Sequence, residues 1–259
     1  MDYETILIKK EGSIAILTLN RPQQENRMNF KMANEMSHAL EELDRDDKIR
    51  ALVMVGAGKD FCLGWSGSEE YLNKSGLEIL KFNDAAGDAE KKLFDFSKPT
   101  VVAAQGRILA SGALMAAMAD VTIISKDAKM GFPAINIGMS CMVALHYLKQ
   151  IVGAKKALEL VITGRILDSD QAEKLGLVTR VVSPEKLLET AMEVAKELAN
   201  KSPLAVAFTK RANAAIRDMP IDEATQYLNE HMALLAVTED GQEGLRARDE
   251  GRPPEWKGR

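Results

Sequence analysis

Several short segments of this 259-residue chain carry residue types and spacings that could do chemistry. Gly56-Ala57-Gly58 follows the apolar run Ala51–Val55 as a phosphate-cradling dinucleotide loop would, but Phe61 stands where that fingerprint needs its third glycine. Gly64-Trp65-Ser66-Gly67 is one residue short of a G-x-S-x-G nucleophile elbow, and no small-residue helix follows it, which disfavours a serine hydrolase. His38, His146 and His231 fall on separate predicted helices without i, i+4 partners, so solvated or hydrogen-bonded structural roles are the default and no metal site is suggested. A more specific signal is a pair of segments, Asp60-Phe61-Cys62-Leu63-Gly64-Trp65 after a buried strand and Gly106-Arg107-Ile108-Leu109-Ala110-Ser111-Gly112-Ala113 opening a helix. Backbone N–H groups fixed in such places, one of them reinforced by a helix dipole, stabilise negative charge that develops on a substrate oxygen, and small residues let the substrate approach. The plain alternative for Ala110-Ser111-Gly112-Ala113 is close helix packing.

The elements that must position these segments read as alternating strands and helices. Ile6–Ile8 and Ile14–Thr18 flank Glu11-Gly12-Ser13 and predict a hairpin. Asn29 caps a predicted helix in which Ala33, Met36, Leu40 and Leu43 form one apolar stripe. Ala51–Val55, Val101–Ala104 and Val121–Ile124 predict short buried strands, with a tightly packed helix of small residues between Ala110 and Ala119. From about Pro184 onward the character changes to long amphipathic helices, with starts at Ser183-Pro184, Ser202-Pro203 and Pro220.

Composition narrows the function class. A formal net charge of −4, with acidic and basic residues intermixed, leaves no basic stripe for a nucleic acid. Cys62 and Cys141, the only cysteines, are far apart and in no metal-ligand spacing, which fits a reducing cytoplasm. The amino terminus lacks a basic start followed by an apolar core, and no stretch approaches the roughly 20 apolar residues that span a bilayer, so neither secretion nor a membrane partner is expected.

Arg21-Pro22 after the second predicted strand, Lys98-Pro99 before Thr100–Ala104, and Thr163-Gly164-Arg165 ahead of Ala172-Leu175-Gly176-Leu177-Val178 complete a pattern with the two glycine-bearing segments. With the ending Arg252-Pro253-Pro254-Glu255-Trp256-Lys257-Gly258-Arg259, the pattern resembles the enoyl-CoA hydratase/isomerase, or crotonase, superfamily over nearly the whole chain. The resemblance implies an α/β fold in which a spiral of ββα units forms two roughly perpendicular sheets over residues 1–195. It further implies a helical oligomerisation region over residues 196–259 and assembly as a trimer or hexamer. The implied partner is an acyl-CoA thioester; coenzyme A enters as part of the substrate, with no metal and no redox cofactor. Carried over by position, the oxyanion donors are the backbone N–H groups of Trp65 and Ser111. The expected substrate contacts are Arg27, Met28, Leu63, Gly64, Ser66, Gly112, Leu114, Ala134 and Asn136, with the segments Glu25–Asn29 and Leu63–Ser66 meeting adenine and pantetheine. The Trp65 ring is expected to wall the thioester and to favour flat or bulky acyl groups.

The chain departs from the family where acid and base are expected. The positions of the two glutamates used by the hydratases are here Leu114 and Ala134, and the isomerase branch, which tolerates a leucine at the first, keeps the second. Proton transfer contributes roughly 10²–10⁴-fold, so little hydratase rate is expected unless another residue substitutes. Candidates are His146, Cys141, Glu69, Glu70 and, as a water positioner, Asn136, each with an ordinary structural alternative. Decarboxylation of a malonyl-type thioester needs the enolate stabilised but no base to begin. The segment Asn136–His146 has some likeness to methylmalonyl-CoA decarboxylases, although Met139, Ser140 and Cys141 stand where those enzymes place a tyrosine. A non-catalytic acyl-CoA-binding paralogue is the remaining alternative.

Overall fold

Gly12, at a φ of 59°, turns the chain so that β1 (Ile6–Glu11) and β2 (Ile14–Leu19) pair antiparallel, with Ile6 opposite Leu19 and Glu11 opposite Ile14. The computed structural model describes residues 2–259. After β2, Asn29 Oδ1 accepts the Met32 N–H at 3.0 Å and starts α1 (Phe30–Arg45), whose stripe of Met32, Ala33, Met36, Leu40 and Leu43 is buried. The chain returns as β3 (Ala51–Gly56), parallel to β2. The short α2 (Gly67–Glu70) and the long α3 (Gly76–Phe94) cross over to β4 (Thr100–Ala104), parallel to β3. Then β5 (Arg107–Leu109) and α4 (Ser111–Met118) lead to β6 (Val121–Ser125), parallel to β4. Beyond lie β7 (Lys129–Gly131), α5 (Met142–Val152), α6 (Ala154–Thr163), β8 (Ile166–Asp168), α7 (Ser169–Lys174) and β9 (Arg180–Val182). Four helices close the chain: α8 (Leu187–Ala199), α9 (Pro203–Ala215), α10 (Ile221–Ala236) and α11 (Glu239–Glu250).

The strands form a six-stranded sheet in the order β1-β2-β3-β4-β6-β9 and a second sheet in the order β5-β7-β8. Because side chains alternate along a strand, β2, β3 and β4 serve two cores at once and read as continuous apolar runs. One face, with Leu17, Met54 and Val102, packs under α1, α3, α4 and the second sheet; the other, with Ile16, Val53 and Val101, packs under α8. The expected division at 195/196 falls inside α8, where Ala195 and Ala199 still pack with the sheet. Beyond α8, Asp240 ties the closing stretch to itself, accepting from Ser202 Oγ at 2.7 Å and from the Lys257 and Gly258 backbone at 2.7 and 3.0 Å. No helix among the described residues is long and apolar enough to cross a membrane. The patterning above announces the crossovers through α1 and α4 but not α3, nor most of the connection from β6 to β9, and α3 turns out to matter most for the site.

Candidate active site

Glycine chemistry brings two loops together. Gly64 adopts a φ of 93°, and a methyl group on it would lie 2.7 Å from the Ala110 Cβ and 3.6 Å from the Ser111 nitrogen. Gly112 in turn packs on the Cys62 backbone, where any side chain would collide with the Cys62 carbonyl. Hydrogen bonds fix the register: Leu109 N–H donates to Cys62 O at 2.9 Å, and on either side of Trp65 the Met28 N–H donates to Gly64 O at 2.9 Å while Met28 O accepts the Ser66 N–H at 2.7 Å. An ion cluster ties the two loop starts. Arg107 donates to Asp60 Oδ2 at 2.7 Å and to Glu25 Oε1 at 2.9 Å, and holds both carboxyls below the usual carboxylate range. Ala110, ahead of α4, sits at φ 51° and ψ −116°, a conformation rarely taken by a residue with a side chain and one that concentrates at functional sites. Among the described residues, neither the Trp65 N–H nor the Ser111 N–H is matched to an acceptor.

Both residues line a cavity of about 480 Å³ whose wall is mostly apolar. One carboxylate stands in that wall, and it is not at Leu114 or Ala134. It is Glu90, on α3, only 2% exposed. Its Oε1 accepts from the Ser111 hydroxyl and, at 3.3 Å, from the Trp65 indole N–H, whereas its Oε2 is buried with no partner. Burial pushes this carboxyl up from 4.5 to about 7, against the Ser111 and Trp65 hydrogen bonds that favour its charged form. The Trp65 ring is itself held edge-on by Phe82, 5.3 Å between centroids, and stacks on Tyr71, whose hydroxyl donates to Asn83.

Of the residues expected at the substrate, Arg27, Leu63, Trp65, Ser111, Leu114, Ala134 and Asn136 line the cavity. Met28, Gly64, Ser66 and Gly112 do not; they sit behind the wall and shape it, Met28 by its bridge to Trp65 and the glycines by close packing. His146 is exposed on α5, edge-on to Tyr147, and contributes nothing to the wall. Glu69 and Glu70 also lie outside it. Glu69 accepts from Arg21 at 2.9 Å and Ser66 Oγ at 2.5 Å, bonds that outweigh burial and keep its carboxyl low, and Glu70 accepts the Phe30 N–H at 2.8 Å, so both brace the first loop against α1. Cys141 lines the cavity, but burial raises its thiol above the ordinary range. Glu90 is the residue that sequence reasoning missed. Its signal is a carboxylate on the buried stripe of α3, four residues after Ala86 and three before Leu93.

Comparison with known proteins gives a consistent picture. The profile of the family described as Enoyl-CoA hydratase/isomerase matches residues 9–259. The chain is 34% identical over 262 residues, covering all of both sequences, to a protein of Rhizobium meliloti (strain 1021) named "Probable enoyl-CoA hydratase". It is 28% identical, over 95% of each, to the short-chain-enoyl-CoA hydratase of Clostridium acetobutylicum. The crystal structure of an enoyl-CoA hydratase from Mycobacterium smegmatis superposes with a TM-score of 0.93 at 29% identity, covering 98% of this chain and 99% of that one.

Proposed function

The chain belongs to the enoyl-CoA hydratase/isomerase family, and from that premise we propose that it binds an acyl-CoA thioester with the carbonyl oxygen on the N–H groups of Trp65 and Ser111, so that its chemistry passes through a thioester enolate. The observation that carries this is the pair of unmatched backbone donors on touching loops beside an apolar cavity. A preorganised donor of this kind contributes about 3–4 kcal/mol to a transition state that places charge on the oxygen, because a site with little water leaves the charge few other partners. The helix dipole of α4 adds to the Ser111 donor. Arg27, at the cavity wall, donates through its guanidinium to Leu63 O at 3.1 Å and is paired with Glu25 at 3.0 Å, which fixes it beside the loop assigned to the coenzyme. No group beyond the coenzyme A of the substrate is called for.

The cavity wall is mostly apolar and Arg27 is the one basic side chain lining it among the described residues, so little is available there to hold a substrate carboxylate of the malonyl type. A neutral acyl group suits the wall better. Titration calorimetry and thermal unfolding with butyryl-, crotonyl-, but-3-enoyl- and methylmalonyl-CoA test the proposal. Binding of the neutral thioesters is expected, with a stabilisation of about 2.7 kcal/mol when ligand is a hundredfold above its dissociation constant. Absence of both heat and stabilisation at millimolar concentration would remove the acyl-CoA reading.

A further inference from the structure

Glu90 combines four features not found together elsewhere among the described residues: it is almost fully buried, it lines the cavity, one of its oxygens is doubly held and the other has no partner at all. A buried polar atom left without a hydrogen bond costs stability, and such atoms in native structures call for an explanation in function. The two groups that hold Oε1 are the side chains of Ser111 and Trp65. The backbone N–H groups of those same residues are the donors assigned to the thioester oxygen. The carboxylate is therefore indexed to the place where the enolate oxygen would sit, through two residues and no intervening element. Building on the acyl-CoA reading above, we propose that Glu90 is the catalytic acid/base of this cavity, its Oε2 taking a proton from the α-carbon of the bound thioester and returning it.

The step balances without a co-reactant. Oε2 forms a bond to the α-proton, the C–H electron pair becomes the carbon–carbon double bond of the enolate, and the carbonyl π pair moves onto the oxygen held by the two N–H groups. Glu90, now neutral, gives the proton back to the α-carbon. In a β,γ-unsaturated acyl group it can instead give it to the γ-carbon, with the π system shifting one bond and the carbonyl restored. The titratable groups that feel the Glu90 charge are Cys62 on the first loop, Tyr71 after α2, Cys141 just before α5 and Tyr147 on it. Burial is the leading cause that keeps each of them protonated, Cys62 and Tyr71 being pushed up to about 12. None of them competes for the role near neutral pH.

The test follows deuterium incorporation at the α-carbon of butyryl-CoA and the conversion of but-3-enoyl-CoA, both in D₂O, for the wild type, Glu90→Gln and Glu90→Asp, with calorimetric binding and thermal unfolding measured on each. Glutamine keeps an oxygen for Ser111 and Trp65 but cannot take the proton. The expected result is binding within a few-fold of wild type and exchange reduced by roughly 10²–10⁴-fold, with partial recovery in Glu90→Asp. Ser111→Ala, which retains the backbone donor but removes one hydrogen bond to the charged carboxylate, is expected to move the acid limb of the exchange profile to higher pH; a merely structural role would leave that limb in place. Exchange at the wild-type rate in a folded, ligand-binding Glu90→Gln protein would overturn the assignment. So would a wild type that binds these thioesters yet catalyses neither exchange nor conversion. Loss of binding in the wild type would instead remove the acyl-CoA reading itself.

Discussion

The burial of Glu90 makes a prediction that needs no substrate. An acid whose carboxyl rises from 4.5 to about 7 on folding holds its proton in the folded state over a pH range in which the unfolded chain has already lost it. The folded protein then binds more protons than the unfolded one, and stability falls as pH rises. The contribution is fully present below about pH 4.5, is lost progressively between 4.5 and 7, and is constant above that. At 1.36 kcal/mol per pH unit, the loss is about 3 kcal/mol. Glu90→Gln abolishes this titration and leaves every other carboxylate unchanged, so acid effects elsewhere cancel when the two proteins are compared. Any penalty from placing a glutamine amide at the site of the unpartnered Oε2 is independent of pH and cancels as well. For a chain of this length about 2–4 °C accompanies each kcal/mol, so the advantage of Glu90→Gln over wild type should grow by roughly 6–12 °C between pH 4.5 and pH 8. Thermal unfolding by circular dichroism at five or six pH values measures it. A difference in Tm that stays flat across that range would show that Glu90 ionises as freely in the folded chain as in the unfolded one, and the buried, unpartnered carboxylate would have to be abandoned.

Two further outcomes test the frame around the site. Gly64→Ala forces a side chain into left-handed backbone against the Ala110 Cβ, which should cost about 2–4 kcal/mol and weaken acyl-CoA binding as the loops separate; unfolding and calorimetry on the variant check both. The exposed apolar residues Ile221, Met232, Leu234 and Val237 on and after α10 are expected to be covered in a trimer or hexamer, and a sedimentation result of 28.4 kDa at micromolar concentration would refute that.

Much of the scaffold was legible because its signals are local. Asn29 before an apolar stripe gives α1, Gly12 between two apolar runs gives the hairpin, and short β-branched runs give β3, β4 and β6. The loops of Trp65 and Ser111 were legible through resemblance, since the glycines that bring them together occupy fixed places in the pattern. Glu90 was not. The spacing of Phe82, Ala86, Ala89 and Leu93 marks a helix stripe that includes position 90, but a glutamate there is ordinarily read as the stripe's solvated edge. What distinguishes this one is its contact with side chains 25 and 21 residues away in sequence, on two different loops, and no local pattern records that. The same limit explains His146 and Glu69, which residue type nominated and tertiary placement removed.

The placement of the proposed acid/base on α3 has a physical logic. Backbone donors cannot move, because Gly64 and Gly112 fix the approach of the two loops to within a side chain's width. A carboxylate, by contrast, can reach the cavity from any helix with a buried stripe that faces it. Here α4 presents Leu114 and the turn Pro133–Ile137 presents Ala134, while α3 presents Glu90. A backbone N–H donor places no demand on the side chain of its own residue, so an enolate site of this design is indifferent to what stands at positions 65 and 111. Once the acid/base comes from α3, that indifference ends: Oε1 needs a donor from each loop, and the Trp65 indole and the Ser111 hydroxyl are those donors. The identities of residues 65, 90 and 111 therefore form one constraint, in which a tryptophan braced by Phe82 and a serine at the first turn of α4 hold a carboxylate that neither loop could supply.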